Sequence, residues 1–341
     1  MPTVLDSLNN GLRQAFATDP SVYLLGEDVL DPYGGAFKVT RGLSTTYPDR
    51  VLTTPISEAG ITGIAGGLAL RGLRPVVEIM FGDFLTLAAD QLINHLVKFR
   101  WMYADQIRVP VVIRTPMGGR RGYGPTHSQT LEKLFLGVPG LTVLAPSTFS
   151  NPSDLLADAI LKTKGPVLFV ENKLLYLLPV FEASQQSEYD YKEYPQQNSG
   201  QIIAPVTRLI VRGAPPPQIT LAAYGYMADL ARHAMLKLAY EYEVFVEMVV
   251  PTRLSPLDVD IILSSLRQTG KLLTVEEGSF TLGWGAEVVS RSFEVLGPQL
   301  RAARRVAAVD TPVPASPVLE KAFLPSLEQI CEACLDLAGD R

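Results

Sequence analysis

Apolar residues recur along the first half of the chain in two alternating textures. Runs at residues 22–25, 75–79 and 109–114 have the length and composition of buried strands. Residues 59–70 and 84–101 instead repeat their apolar positions at helical spacing. The alternation continues through an apolar run at 141–145, a helix at 152–162 that begins after Asn151, and a strand at 167–171. Parallel strands need crossover connections, so this order predicts a parallel sheet flanked by helices, an α/β domain spanning 1–176 and closing near Tyr176.

From 177 to 217 the texture turns to Gln, Ser, Glu and Pro, including Gln196-Gln197-Asn198-Ser199-Gly200 and Pro215-Pro216-Pro217, with a short apolar stretch only at 209–211. This segment reads as a linker carrying a hairpin. Strands at 218–223, 244–250 and 271–275 then alternate with helices at 228–240, 258–269 and 285–296, predicting a second, smaller doubly wound α/β domain over 218–341. No solenoid repeat is visible.

Composition adds the setting. The 341 residues exceed what one core usually serves, and 47% hydrophobic against 19% charged residues is apolar for a monomer, implying surface buried on other subunits. No stretch is long and apolar enough for a membrane span, and the first residues lack a signal-peptide profile, so the expected location is cytoplasmic. With a net charge of -5 and no basic run interleaved with aromatics, nucleic acid is not an expected partner. Cys331 and Cys334, the only cysteines, stand C-x-x-C in a helical segment at 327–337 with no second pair to complete a zinc site, and are read as structural.

No phosphate-loop, dinucleotide, zinc-protease or serine-hydrolase motif is present. Glu58 ends a strand-like run, in Pro55-Ile56-Ser57-Glu58-Ala59-Gly60, just ahead of a helix of small residues. Taken alone it is a carboxylate stabilised by the helix N-terminus. Three further loops shift the balance, because residues 80–84, 118–122 and 126–129 also follow predicted strands, and loops gathered at strand ends make sites. His127 sits in a loop rich in Gly and Pro, where core burial is disfavoured. His95 and His233 lie on helical patterns and read as structural. Arg120 and Arg121 suit either an anionic group or a solvated loop.

Leu25-Gly26-Glu27-Asp28-Val29, the Glu58 motif, Glu78-Ile79-Met80-Phe81-Gly82-Asp83-Phe84 with Asp90-Gln91, His127-Ser128-Gln129 and Asp310-Thr311-Pro312-Val313-Pro314 resemble, in order and spacing, the β subunits of thiamine-diphosphate-dependent 2-oxo acid dehydrogenases. The resemblance spans nearly the whole chain. It implies a pyrimidine-binding domain followed by a transketolase C-terminal-like domain. It also implies that Glu58 hydrogen-bonds N1′ of the aminopyrimidine so that the 4′-nitrogen can take the thiazolium C2 proton. Phe84 would stack on that ring, Ile56 would touch it, and His127 would assist transfer of the acyl group to lipoamide. The family's Gly-Asp-Gly motif for the diphosphate and magnesium is missing, so an α-type subunit is expected to hold Mg2+ within an α2β2 heterotetramer. A lipoyl-bearing core protein or another acyl carrier is the expected acceptor, contacted near residues 310–324 and 327–337. Potassium on backbone carbonyls near Val112 and Asp158 belongs to the same pattern. Acyl or acyloin transfer to an aldehyde or carrier protein is the alternative, and a non-catalytic scaffold the alternative of another class, against which intact Glu58, Phe84 and His127 speak. Which 2-oxo acid is used is not written in the sequence, since apolar pocket shape decides it.

Overall fold

The computed structural model describes residues 2–180, 188–195 and 204–339. Gln196–Gly200 of the expected linker thus lie outside the described residues. The strands are β1 (Val22–Gly26), β2 (Val51–Thr53), β3 (Arg74–Glu78), β4 (Val112–Met117), β5 (Thr142–Leu144), β6 (Val167–Asn172), β7 (Tyr189–Tyr194), β8 (Val206–Val211), β9 (Ile219–Ala223), β10 (Val246–Pro251), β11 (Arg253–Ser255), β12 (Lys271–Ser279) and β13 (Ala302–Ala308). Among the described residues they form two sheets, ordered β11-β5-β6-β4-β3-β1-β2 and β13-β12-β9-β10-β8-β7.

In the first sheet every neighbouring pair is parallel except β11 with β5. All six residues of β4 are buried, as expected for a central strand covered on both faces. The period of two sorts side chains between two cores. Val77 and Ile113 meet the helix Glu58–Leu70 and residues 85–96, whereas Val76 and Val112 meet the helices Val4–Thr18 and Pro152–Lys162. The first core runs on without interruption to Ile262, Leu266 and Trp284, so it also joins the two sheets.

The second sheet has a parallel centre and an antiparallel edge made by β8 and β7. Both edge strands come from the segment read as linker. Helices Tyr226–Tyr242 and Leu327–Ala338 close one face, burying Cys331 and Cys334 in apolar surroundings that push both thiols above their ordinary pKa, so neither is a ready thiolate. Immediately after β10 the chain crosses back, and β11 pairs with β5 through Arg253 and Leu144. The helical stretch expected at 84–101 is divided by a π-helical turn at Gln91–Leu96. No described helix is long and apolar enough to cross a membrane.

Candidate active site

Strands β4, β3, β1 and β2 are consecutive and parallel, with Gly26 level with both Thr53 and Glu78, and Glu78 level with Arg114. Their following loops therefore leave one edge of the sheet side by side, the place where open α/β sheets put ligands. Glu58, Phe84 and His127 stand on three of those loops.

Ser57 caps the helix Glu58–Leu70, accepting from the Gly60 amide at 3.3 Å, and fixes Glu58 as the first helical residue. Glu58 is only 5% exposed, and among the described residues no donor meets its carboxylate. Glu27, at the end of β1, lies close enough to feel it: burial first, then repulsion from Glu58 and Asp28, raises the Glu27 carboxyl above its usual range. One Glu27 oxygen, Oε1, is buried without a described partner. Ile56, by contrast, is 84% exposed.

A second cluster lies along the same edge. The His127 ring meets Phe84 edge-on at 5.2 Å and Phe81 at 4.8 Å, and Thr126 Oγ1 lies 2.9 Å from His127 Nδ1. Lys173 donates to the His127 carbonyl. Burial lowers the Lys173 pKa to about 8, and its ammonium sits 5.2 Å from the Phe81 centroid. Asp83 accepts from the Gln129 amide and side chain at 3.2 and 2.8 Å, which ties the β3 loop to the β4 loop. Phe84 and His127 are thus in contact. Glu58 and Ile56 make no described contact with either of them.

Models of the pyrimidine-binding domain and the C-terminal domain of transketolase match residues 1–178 and 210–330. The mitochondrial pyruvate dehydrogenase E1 component subunit beta-1 of Arabidopsis thaliana is 38% identical over 338 residues, covering 97% of this chain and 88% of that protein. The β subunit of the acetoin:2,6-dichlorophenolindophenol oxidoreductase of Cupriavidus necator is 36% identical, with 96% and 94% covered. This chain belongs to the 2-oxo acid dehydrogenase β-subunit family. A solved split-gene transketolase, an inactive β4 tetramer, shares the fold with a TM-score of 0.74 at 20% identity, covering 99% of each chain.

The family implies thiamine diphosphate, and the edge of this dehydrogenase β subunit fits the aminopyrimidine end of that cofactor. A buried carboxylate that no protein donor occupies, an exposed aliphatic residue before it and an aromatic ring beside a histidine are a suitable donor and stacking set. Among the described residues no group of three or more His, Cys, Asp or Glu could hold a metal ion. Of the carbonyls expected to meet potassium, those that follow Asp158 already have protein donors. Arg74 Nη1 donates to the carbonyls of Ile160 and Thr163 at 3.0 and 3.2 Å, the Val109 amide takes that of Lys164, and Thr163 Oγ1 that of Gly165. A guanidinium already brings its charge there, and a second cation beside it would be repelled.

The two arginines read from the sequence as suiting an incoming anionic group or a solvated loop do neither. Arg120 and Arg121 are held by protein: the Arg120 guanidinium faces Glu277 at 3.2 Å and donates to the Pro325 carbonyl at 2.5 Å, and Arg121 donates to the Lys173 carbonyl at 3.2 Å. Arg120 has φ +67°, a left-handed conformation rare outside glycine. Beneath the site, Arg114 is buried between Glu78 and Glu171, and Tyr176 donates to Glu171 at 2.6 Å. A cleft of about 730 Å³ lies away from this edge, against Arg253, Trp284 and Arg291. Four of the cations lining it, Arg100, Lys133, Arg253 and Arg291, already have protein partners.

Proposed function

We propose that this chain is the β subunit of a 2-oxo acid dehydrogenase and contributes the pyrimidine half of a thiamine-diphosphate site completed by an α-type subunit. The observation that carries this reading is the buried, donor-free Glu58 carboxylate on the same sheet edge as the Phe84–His127 pair. When bound, the cofactor supplies the electron sink that 2-oxo acid decarboxylation requires. Glu58 accepts a hydrogen bond from the aminopyrimidine ring and shares a proton with it. Phe84 presents a flat apolar face, and Ile56 covers the opposite approach. With Nδ1 engaged by Thr126, His127 keeps Nε2 for a proton on the departing acyl group.

The α-type subunit holds magnesium and the diphosphate, in an α2β2 assembly located in the cytoplasm, and a lipoyl-bearing protein takes the acyl group. The resemblance to an acetoin:dichlorophenolindophenol oxidoreductase subunit keeps acyl or acyloin transfer to another acceptor as the second reading. Calorimetry of thiamine diphosphate with magnesium, on this chain alone and with its co-purifying α-type partner, tests the proposal. Tight binding only with the partner is expected; tight binding to the chain alone overturns the shared site.

A further inference from the structure

The loop that carries His127 is gripped by carboxylates from the other domain. Glu277, at the end of β12, accepts from the Gly119 amide at 2.7 Å. Glu320, in the helix Pro317–Phe323, uses both oxygens, accepting from the Arg120 amide at 2.9 Å and the Gly122 amide at 3.1 Å. The two carboxylates are 5% and 3% exposed, so these charge-assisted bonds form in a dry setting, where they are stronger than in water.

Side chains reinforce the grip. Glu277 also faces the Arg120 guanidinium and accepts from Asn172 Nδ2 at 3.1 Å, and the residue after Asn172 is Lys173, which holds the His127 carbonyl. Both ends of the loop are therefore fixed to one polar cluster. The fit leaves little slack: a Cβ on Gly118, which has φ +97°, would lie 2.5 Å from Asn172 Nδ2 and 2.9 Å from Glu277 Oε1.

We propose that Glu277 and Glu320 are positioning residues: the C-terminal domain sets where His127 stands, and so controls acyl transfer without contributing a group that touches the reacting atoms. Its functional half rests on the role proposed above for His127. An amide at position 320 keeps one acceptor and turns a donor toward the Gly122 N–H, so Glu320→Gln releases part of the loop while barely changing volume. Arg120→Gly is the companion variant. It removes the ion pair with Glu277 and the bond to the Pro325 carbonyl, and glycine suits φ +67°.

The test uses the full chain assembled with its α-type partner. Diethyl pyrocarbonate labels histidines, and the three in this chain, His95, His127 and His233, can be followed separately by mass spectrometry. In Glu320→Gln, or in Arg120→Gly should the first variant fail to assemble, the labelling rate of His127 is expected to change at least threefold while His95 and His233 hold. An unchanged His127 rate overturns the proposal, whatever happens to activity. Turnover of pyruvate is then read with a lipoylated carrier domain and with dichlorophenolindophenol. Glu320→Gln is expected to lose about tenfold with the carrier and less than twofold with the dye, and His127→Ala/Glu320→Gln to lose no more than His127→Ala alone. Additive losses in the double variant overturn the proposal. If His127→Ala alone slows both acceptors equally, it is the reading of His127 that fails, and the labelling result still decides the grip.

Discussion

Lys173, with 0% exposure, donates its ammonium to the backbone carbonyl of His127. Lys173→Met keeps the length of the side chain and removes that bond together with the cost of burying a charge. Stability is therefore expected to change by about 1 kcal/mol or less at pH 7, while transfer to a lipoyl acceptor falls severalfold. The pH dependence follows from the pKa of about 8. Between that value and the ordinary one for lysine the unfolded chain holds the proton and the native one does not, so wild type gains stability relative to the variant as pH rises. Urea midpoints of both proteins at pH 7.5 and 10 check the sign.

Glu58→Gln should leave folding and assembly intact, since the carboxylate makes no described hydrogen bond within the protein. Decarboxylation with a dye acceptor is expected to drop by about 100-fold or more, the scale of lost acid–base assistance, with cofactor affinity within a few fold. Steady-state kinetics beside calorimetry separate the two, and decarboxylation at the wild-type rate would defeat the role assigned to Glu58.

Arg114 lies between two buried carboxylates, and burial above all raises Glu78 to about 7. Arg114→Met would leave both acids without their cation, at a cost of about 3–5 kcal/mol at pH 7.5. Protonation neutralises the stranded carboxylates, so the deficit should shrink at pH 5. Denaturant unfolding at the two pH values measures it, and an equal deficit at both would assign the loss to packing.

Asp229 lies in the first turn of the helix Tyr226–Tyr242, accepts from Thr148 Oγ1 at 2.8 Å, and is raised to about 6 by burial. A carboxyl whose native pKa is raised binds its proton more tightly when folded, so its stabilising effect is present below the unfolded value and fades as pH climbs to 6. Asp229→Asn should therefore match wild type near pH 4 and exceed it by about 2–3 kcal/mol at pH 7.5. Thermal unfolding across that range reads the crossover.

The central strands of both sheets were legible, unlike β11, because parallel strands covered on two faces read as unbroken apolar runs, as in Val167–Asn172. β13 was not, since its Ala-Ala-Arg-Arg core has little strand character and is held by pairing with β12. The helix Val4–Thr18 was passed over despite its capping box from Thr3 to Asp6. At the site, Glu58 and His127 drew notice by their place in loops after predicted strands, whereas Phe84 was named only through the family resemblance. Glu277 and Glu320 could not be picked out. They lie 158 and 200 residues from Gly119 and Arg120, and they act on backbone amides, which leave no complementary side-chain pattern to find.

The return of β11 to the first sheet has a bearing on how the chain can be divided. Strand β5 carries β6 on one side and β11 on the other, so trimming the protein at the linker would strip one side of β5 and leave unpaired backbone groups along it. Such an edge invites pairing with other chains. The N-terminal portion made alone would be sticky, so the two halves that look like separable modules in the sequence are structurally interlocked.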